Sequence, residues 1–182
     1  MKKFKPRAVF HKGFTLIEVI VSVFAFALIV VAISGLFITG LRNQRRSLAY
    51  QQLLDQTSYI AEYMGRFLRM AQKDTGGLCI VANSNYAVTR AGLGIKFKNY
   101  KDECQEFFLE GGQIKEYKAG NTLPITADNL QVNNFNIAPY GWDQTDDLQP
   151  KVTLFLEVEH KKEGVKVKVQ TTISQRNLDI TY

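Results

Sequence analysis

Two cysteines are the residues whose types and spacing most directly permit covalent chemistry. Cys79 and Cys104 are the only cysteines among 182 residues and lie 25 positions apart. A disulfide between them would stabilise the fold by roughly 3 to 4 kcal/mol in the chain-entropy model. Two free buried thiols are the alternative, because sequence does not give their separation in space. A nucleophilic or metal role is disfavoured, since His160 is the only histidine beyond the N-terminal segment and lies in an expected strand.

Acidic side chains are dense in the loop at residues 140–150, which contains Asp143, Asp146 and Asp147. Such hard oxygens could bind calcium. No EF-hand spacing is present, however, so solvated loop acids are the preferred interpretation. The chain also lacks a phosphate-cradling glycine loop, a serine elbow and metal-ligand spacing. We therefore expect no enzymatic activity, no metal ion and no cofactor.

The excess of basic residues is concentrated at the N-terminus. The chain has 23 Lys and Arg against 17 Asp and Glu, a net charge of +6. Residues 1–13 contain no acid and carry Lys2, Lys3, Lys5, Arg7 and Lys12. Without this segment the chain is nearly neutral, and it has no basic stripe with interleaved aromatics, so we expect no nucleic-acid binding.

A long uncharged segment follows this basic one. Residues 19–41 carry no charge and consist mainly of Val, Ile, Phe, Leu and Ala. A helix of this length spans roughly 35 Å, which is enough to cross a hydrocarbon core of about 30 Å. Five bases precede the segment, whereas Arg42, Arg45 and Arg46 follow it, and this modest asymmetry favours a cytoplasmic N-terminus. The rest of the chain would then lie outside the cytoplasm, where disulfides form.

Two features of this segment have alternative interpretations. The three arginines after it could contact lipid phosphates or acids of a neighbouring subunit, although an ordinary stop-transfer flank is preferred. Ala32, Ile33 and Ser34 resemble a signal-peptidase site. The apolar run is longer than a typical signal-peptide core, and cleavage there would leave Leu36, Phe37 and Ile38 at the new terminus.

Glu18 is an acid at the start of the apolar run, where a carboxylate needs a partner or a place at the interface. It belongs to the run Lys12-Gly13-Phe14-Thr15-Leu16-Ile17-Glu18-Val19. With its short basic leader, this run resembles the processing signature of type IV prepilins and type II secretion pseudopilins. In that family a membrane aspartic peptidase cuts after the glycine and methylates the new N-terminus.

The resemblance implies roles for three residues. Gly13 precedes the cut, Phe14 becomes the N-methylated first residue, and Glu18 stands at mature position five. The new ammonium group can pair with Glu18 of an adjacent subunit, which lessens the cost of holding a carboxylate in an apolar filament core. An interfacial glutamate on an uncleaved signal anchor is the alternative. One departure is Gly35, where many family members have a proline that kinks the helix.

The apolar pattern changes after residue 41. Residues 42–74 continue the helix with one apolar stripe, formed by Leu53, Ile60, Met64, Phe67 and Ala71. Thr75, Gly76 and Gly77 supply the stop signal. We expect the stripe to pack on the chain's own domain rather than on a separate coiled-coil partner.

Short alternating runs after Gly77 predict strands. Gly111 and Gly112 indicate a hairpin between strands at 106–110 and 113–118. A second hairpin turns at 161–164, between alternating runs at 152–158 and 165–173. Further strands are expected near residues 79–82, 86–90, 93–97 and 130–137.

The sequence therefore predicts an α+β fold, in which a long N-terminal helix packs on a C-terminal antiparallel β-sheet domain. The expected divisions are a basic leader (1–13), a transmembrane or filament-core helix (14–41), its amphipathic continuation (42–74) and an extracytoplasmic β-sheet domain (75–182). The resemblance implies the same architecture and a structural subunit of a pilus or pseudopilus, of the minor pilin or J-type minor pseudopilin kind. The alternative is an extracytoplasmic binding domain that stays membrane-anchored and does not assemble.

The resemblance also implies partners and a location. The partners are the prepilin peptidase/N-methyltransferase, other pilins or pseudopilins, the inner-membrane assembly platform and, before assembly, membrane lipid. The implied location is a single-pass cytoplasmic membrane protein with its N-terminus inside, followed by an extracytoplasmic or cell-surface filament.

Overall fold

The computed structural model describes residues 13–141 and 148–176. The chain divides into two compact units, Met1–Gln44 and Arg45–Tyr182. A single long helix, α1 (Leu16–Arg69), begins in the first unit and ends in the second. This helix and an antiparallel β domain confirm the predicted α+β class.

The first unit contains the beginning of α1, which is capped by Thr15. The Glu18 N–H donates to Thr15 Oγ1 at 3.3 Å, and the Val19 N–H donates to the Thr15 carbonyl oxygen at 3.2 Å. Thr15 and Glu18 have the spacing of a capping box. Hydroxyl groups further along are bonded within the helix, as when Ser34 Oγ donates to the Val30 carbonyl oxygen at 2.7 Å. This part of the helix thus leaves few polar groups unsatisfied along its apolar surface.

In the second unit, α1 buries one face and exposes the other. Leu53, Ile60 and Met64 are fully buried, and the polar positions between them are mostly exposed. A Cβ on Gly65 would lie 3.5 Å from Ile173 Cδ1, so the small residue permits close approach of a strand. The apolar stripe predicted from the sequence is therefore confirmed as the face that packs on the β domain.

The β domain contains two antiparallel sheets. Each sheet is a meander in which strands adjacent in sequence are hydrogen-bonded. The first sheet has, in order, β1 (Ala87–Thr89), β2 (Gly94–Lys98), β3 (Cys104–Glu110), β4 (Gln113–Lys118) and β5 (Asn121–Pro124). The second has β6 (Leu130–Tyr140), β7 (Lys151–His160) and β8 (Lys166–Ser174).

The two predicted hairpins are present. Gly111 (φ 61°) and Gly112 (φ 74°) both adopt positive φ between β3 and β4, as a type I′ turn requires. On β7, Val152, Leu154, Leu156 and Val158 are buried in alternation, and β8 pairs with this strand along its length. On the outer face, Lys166 and Lys168 form ion pairs with Glu159 and Glu157.

One core joins the helix to both sheets. The Tyr63 and Phe107 rings lie 6.1 Å apart, which brings α1 against the five-stranded sheet. Ile173 of β8 meets α1 at Gly65. The sheets themselves meet where the Val132 N–H donates to the Gly112 carbonyl oxygen at 2.8 Å. The helix is thus the element that both sheets share.

One predicted strand is absent from the structure, and one observed strand was not predicted. Residues 79–82 form turns and bends, because the Asp74 carboxylate takes the backbone N–H groups of Cys79 and Ile80 that a strand would use. Strand β5 was not predicted, since all four of its residues are exposed and show no apolar alternation. Pro124 fits an edge position, where one missing donor is tolerated.

The helix ends at Arg69, five residues before the predicted end. Its last carbonyl groups are hydrogen-bonded by residues far along the chain. Tyr86 Oη donates to the Leu68 carbonyl oxygen at 2.7 Å, and the Arg176 N–H donates to that of Arg69 at 2.7 Å. Just beyond, Gln175 Nε2 donates to the Ala71 carbonyl oxygen at 2.7 Å. Tertiary partners therefore satisfy the helix end in place of another helical turn.

Candidate functional site: the N-terminal junction and the apolar helix

The junction between Gly13 and Phe14 lies outside the helix. Gly13, Phe14 and Thr15 precede the first residue of α1, and the Phe14 side chain is 81% exposed. No described side chain lies within 4 Å of the place a Cβ on Gly13 would occupy. The peptide bond between Gly13 and Phe14 is thus exposed among the described residues, and cutting it would leave the Thr15 cap of α1 intact.

Glu18 lies in the first turn of α1, with an exposed side chain. Its N–H is bonded to Thr15, and its carbonyl oxygen accepts the Ser22 hydroxyl at 2.7 Å. Within residues 13–141 and 148–176, its carboxylate has no ion-pair partner. A carboxylate in the first turn interacts favourably with the helix dipole. The described residues therefore give Glu18 a local role in the first turn, and none of them pairs with its carboxylate.

The first part of α1 presents apolar side chains on every face. It includes an 18-residue window apolar enough to cross a membrane, none of it buried. The exposed side chains include Ile20, Phe24, Phe26, Ile29, Val31, Ile33, Leu36 and Phe37. Soluble monomers rarely expose a continuous apolar surface of this size. This one candidate span among the described residues supports a single-pass membrane protein.

A disulfide joins Cys79 and Cys104, which confirms the predicted pair. The Cα atoms are 5.2 Å apart, and the bond connects the segment after α1 to the first residue of β3. The alternative of two free thiols is excluded by this bond. The disulfide ties the turns at residues 75–84 to the five-stranded sheet.

The buried side chain of Asp74 also holds these turns in place, and this role was not predicted from the sequence. Its buried carboxylate accepts the Cys79 N–H at 2.6 Å and the Ile80 N–H at 3.1 Å. Burial alone would raise the pKa of Asp74, but these backbone hydrogen bonds, one from Leu78 and the charge of Lys98 hold the pKa below its ordinary value. An aspartate just before a Gly-Gly turn was the available signal.

A buried polar chain between α1 and the five-stranded sheet was also missed. Tyr63 Oη donates to Glu116 Oε2 at 2.9 Å, and Gln105 Nε2 donates to Glu116 Oε1 at 2.5 Å. Asn99 Nδ2 continues the chain to Gln105 Oε1 at 3.1 Å. Burial and the neighbouring Glu116 raise the pKa of Tyr63 far above its usual value, so the phenol stays protonated. These side chains are hydrogen-bonded to one another, and we interpret this hydrogen-bonded series as structural.

Of the remaining candidates, only His160 lies among the described residues, and it has a structural partner. His160 ends β7, and its Nδ1 accepts the Glu163 N–H at 3.2 Å, which fixes the turn. Asp143, Asp146 and Asp147 lie outside the described residues, as do residues 1–12. In the part of the chain that is described, no group of three or more His, Cys, Asp or Glu side chains could hold a metal ion.

Comparisons with protein-family models, with curated proteins and with solved structures found no match to this chain. Its fold and junction define an α+β protein with one N-terminal candidate membrane span and a disulfide-bonded domain of two sheets. The role of this chain is therefore inferred from the sequence of residues 12–19.

Proposed function

We propose that this chain is a non-catalytic structural subunit of a type IV pilus or a type II secretion pseudopilus, made as a prepilin. The observation that carries the proposal is the junction Gly13-Phe14 followed by Glu18, which lies in the first turn of α1 just before an uncharged apolar run. The basic leader before it and the apolar helix after it belong to the same resemblance. The finer assignment is to a minor pilin or a J-type minor pseudopilin.

The geometry of the junction supports processing after Gly13. A cut there would place a positive ammonium group on Phe14, which is exposed and not yet helical. Glu18 keeps a carboxylate that no described residue pairs with. An ammonium group from one subunit and Glu18 from the next would neutralise each other as apolar helices pack together. The pair would also fix the axial register between neighbouring subunits.

The apolar helix supports storage in a membrane followed by assembly. Before assembly its side chains would contact lipid, and afterwards they would contact the helices of other pilins or pseudopilins. The proposed partners are therefore the prepilin peptidase/N-methyltransferase, the inner-membrane assembly platform and other subunits. The proposed location is the cytoplasmic membrane with the N-terminus inside, and then an extracytoplasmic filament.

Mass spectrometry of the mature N-terminus tests the processing step. The expected result is a chain that begins with N-methylated Phe14. An intact Met1, or a start at Gly35 after a signal-peptidase cut, contradicts the proposal. Either of those results would favour an extracytoplasmic binding domain that is anchored or released without forming filaments.

Substitution Glu18→Val tests the assembly step. We expect cleavage and methylation to continue while incorporation into filaments falls by at least tenfold, measured by immunoblotting of sheared filaments. Thr15→Val is the matched control, because it removes the hydroxyl cap of Glu18 N–H and keeps the carboxylate. If the control loses incorporation equally, helix capping explains the defect and the intersubunit pair is wrong.

A further inference from the structure

A second site lies in the unit that contains the β domain. A cavity of about 460 Å³ opens between α1 and the turn that joins β7 to β8. Arg45 and Gln52 line it from the helix, whereas His160, Lys162 and Glu163 line it from the turn. Two full positive charges and one carboxylate therefore share one cavity.

The bases that line this cavity differ in their bonding from Lys161 and Lys166, which lie in or beside the same turn. Lys161 Nζ donates to the Asp128 carbonyl oxygen at 2.7 Å, and Lys166 pairs with Glu159 at 3.2 Å. Arg45 and Lys162, in contrast, have no ion-pair partner among residues 13–141 and 148–176. The cavity thus holds two bases whose charges no described residue pairs with.

The turn that presents Lys162 is held in place. The Gly164 N–H donates to the His160 carbonyl oxygen at 2.8 Å, and the His160 N–H donates to that of Val165 at 2.9 Å. The Glu163 N–H adds the bond to His160 Nδ1. A site built on a fixed backbone loses less conformational entropy when it binds a ligand.

The position of Arg45 in the sequence indicates which anion would be present. Arg45 follows the last residue of the apolar run, Leu41, by four positions, or about 6 Å along a helix. Bilayers carry headgroups over a layer of roughly that thickness on each side of the hydrocarbon core. When the apolar run spans a membrane, Arg45 therefore lies at the depth of lipid phosphates.

We propose that this cavity binds the phosphate group of an anionic phospholipid. Arg45 and Lys162 neutralise the phosphate from two sides, and the Gln52 amide adds a donor. The inference needs the membrane span but not filament assembly, so it stands whether or not the chain is a prepilin. It assigns Arg45 a specific ligand, beyond the general attraction of an arginine flank to a membrane.

The experiment measures lipid retained by the full chain in uncharged detergent, by native mass spectrometry during titration with phosphatidylglycerol. Arg45→Gln and Lys162→Gln should each weaken retention by about fivefold, as expected for about 1 kcal/mol per base near a membrane surface. Arg46→Gln and Lys161→Gln are matched controls, because each removes the same charge one position away from a lining residue. The controls should change retention by less than twofold.

Three outcomes would overturn the proposal. Equal losses in all four variants would mean that general electrostatic attraction, and not this cavity, binds the lipid. Equal retention of phosphatidylcholine and phosphatidylglycerol by the parent chain would exclude selection of an anionic headgroup. Saturable binding of inorganic phosphate that depends on Arg45 and Lys162, without lipid retention, would assign the cavity to a free anion.

Discussion

Two isoleucines on the same helix have opposite surroundings. Ile29 in the first unit is 56% exposed, whereas Ile60 in the second is fully buried. The difference lies in their neighbours along the sequence. Around Ile29 the apolar residues cover every face of the helix, and around Ile60 they form one stripe between polar positions such as Glu62 and Gln56. The first unit must therefore be covered by lipid or other chains, and the second is covered by its own sheets.

Substituting these two isoleucines in turn tests the comparison most strongly. Ile60→Ala should lower the free energy of unfolding by about 2–5 kcal/mol, because it leaves a cavity in the core. Ile29→Ala should leave it within about 0.5 kcal/mol of the parent, because the Ile29 side chain is exposed. Urea denaturation of the full chain in detergent, followed by near-UV circular dichroism, measures both. An equal loss in the two variants would contradict the separation of the helix into two environments.

Removal of the disulfide should affect the second unit alone. The double substitution Cys79→Ser and Cys104→Ser is expected to lower the free energy of unfolding by about 3–4 kcal/mol, since the loop it closes becomes unrestrained. Resistance of the protein to alkaline extraction from membranes should not change. The parent chain treated with a reductant serves as the control and should show the same loss. Unchanged stability after reduction would show that the bond does not constrain the domain.

Asp74 should make the stability of the second unit depend on acid pH. Its folded-state pKa lies below the value of about 3.9 expected in the unfolded chain, so its contribution is complete above that value and is lost as pH falls through the folded pKa. The free energy of unfolding should fall less steeply between about pH 5 and pH 2 in Asp74→Asn than in the parent. Glu110 and Glu159 also have lowered pKa values, but they are present in both proteins.

The exposed Asp55 provides the control for this pH dependence. Asp55→Asn removes a carboxylate from the polar face of α1 and should keep the parent's slope. If Asp74→Asn has the parent's slope as well, the hydrogen bonds to Cys79 and Ile80 do not depend on the charge of Asp74.

The smallest predicted effect concerns the end of α1. Tyr86→Phe removes the hydroxyl that donates to the Leu68 carbonyl oxygen and should cost about 0.5–1.5 kcal/mol of unfolding free energy. Tyr50→Phe is the control, because that hydroxyl lies on an exposed part of the helix. Equal stability of Tyr86→Phe and the parent would show that water replaces the tyrosine hydroxyl at this carbonyl.

Features set by local periodicity could be predicted from the sequence. The uncharged run, the stripe through Ile60 and the alternation from Val152 to Val158 each depend on residues close together in the chain. The edge strand β5 and the turns at 79–82 could not be predicted in this way. At residues 79–82, hydrogen bonds to the Asp74 carboxylate shape the backbone, and β5 is a strand because it lies at the edge of the sheet. Neither the hydrogen bonds nor the edge position is specified by the local sequence pattern.

The same distinction applies to the site. Gly13, Phe14 and Glu18 lie within six residues, and the two cysteines allow only one intrachain pair. Tyr63 and Glu116, in contrast, are 53 positions apart, and no pattern relates them before the chain folds. The cavity between Arg45 and Lys162 is equally non-local. The sequence therefore predicts the N-terminal junction as a site, but it does not predict the groups that join the helix to the sheets.

The carbonyl groups at the end of α1 depend on residues that the ribosome adds much later. Gln175 is 104 positions beyond Ala71, the residue to which it donates. At about 5–20 residues per second, translation takes about 5–20 s to cover that interval. The apolar first part of the helix can enter a membrane during this time, while the far end still lacks its partners. Folding of the second unit is therefore completed only after Gln175 and Arg176 have been synthesised.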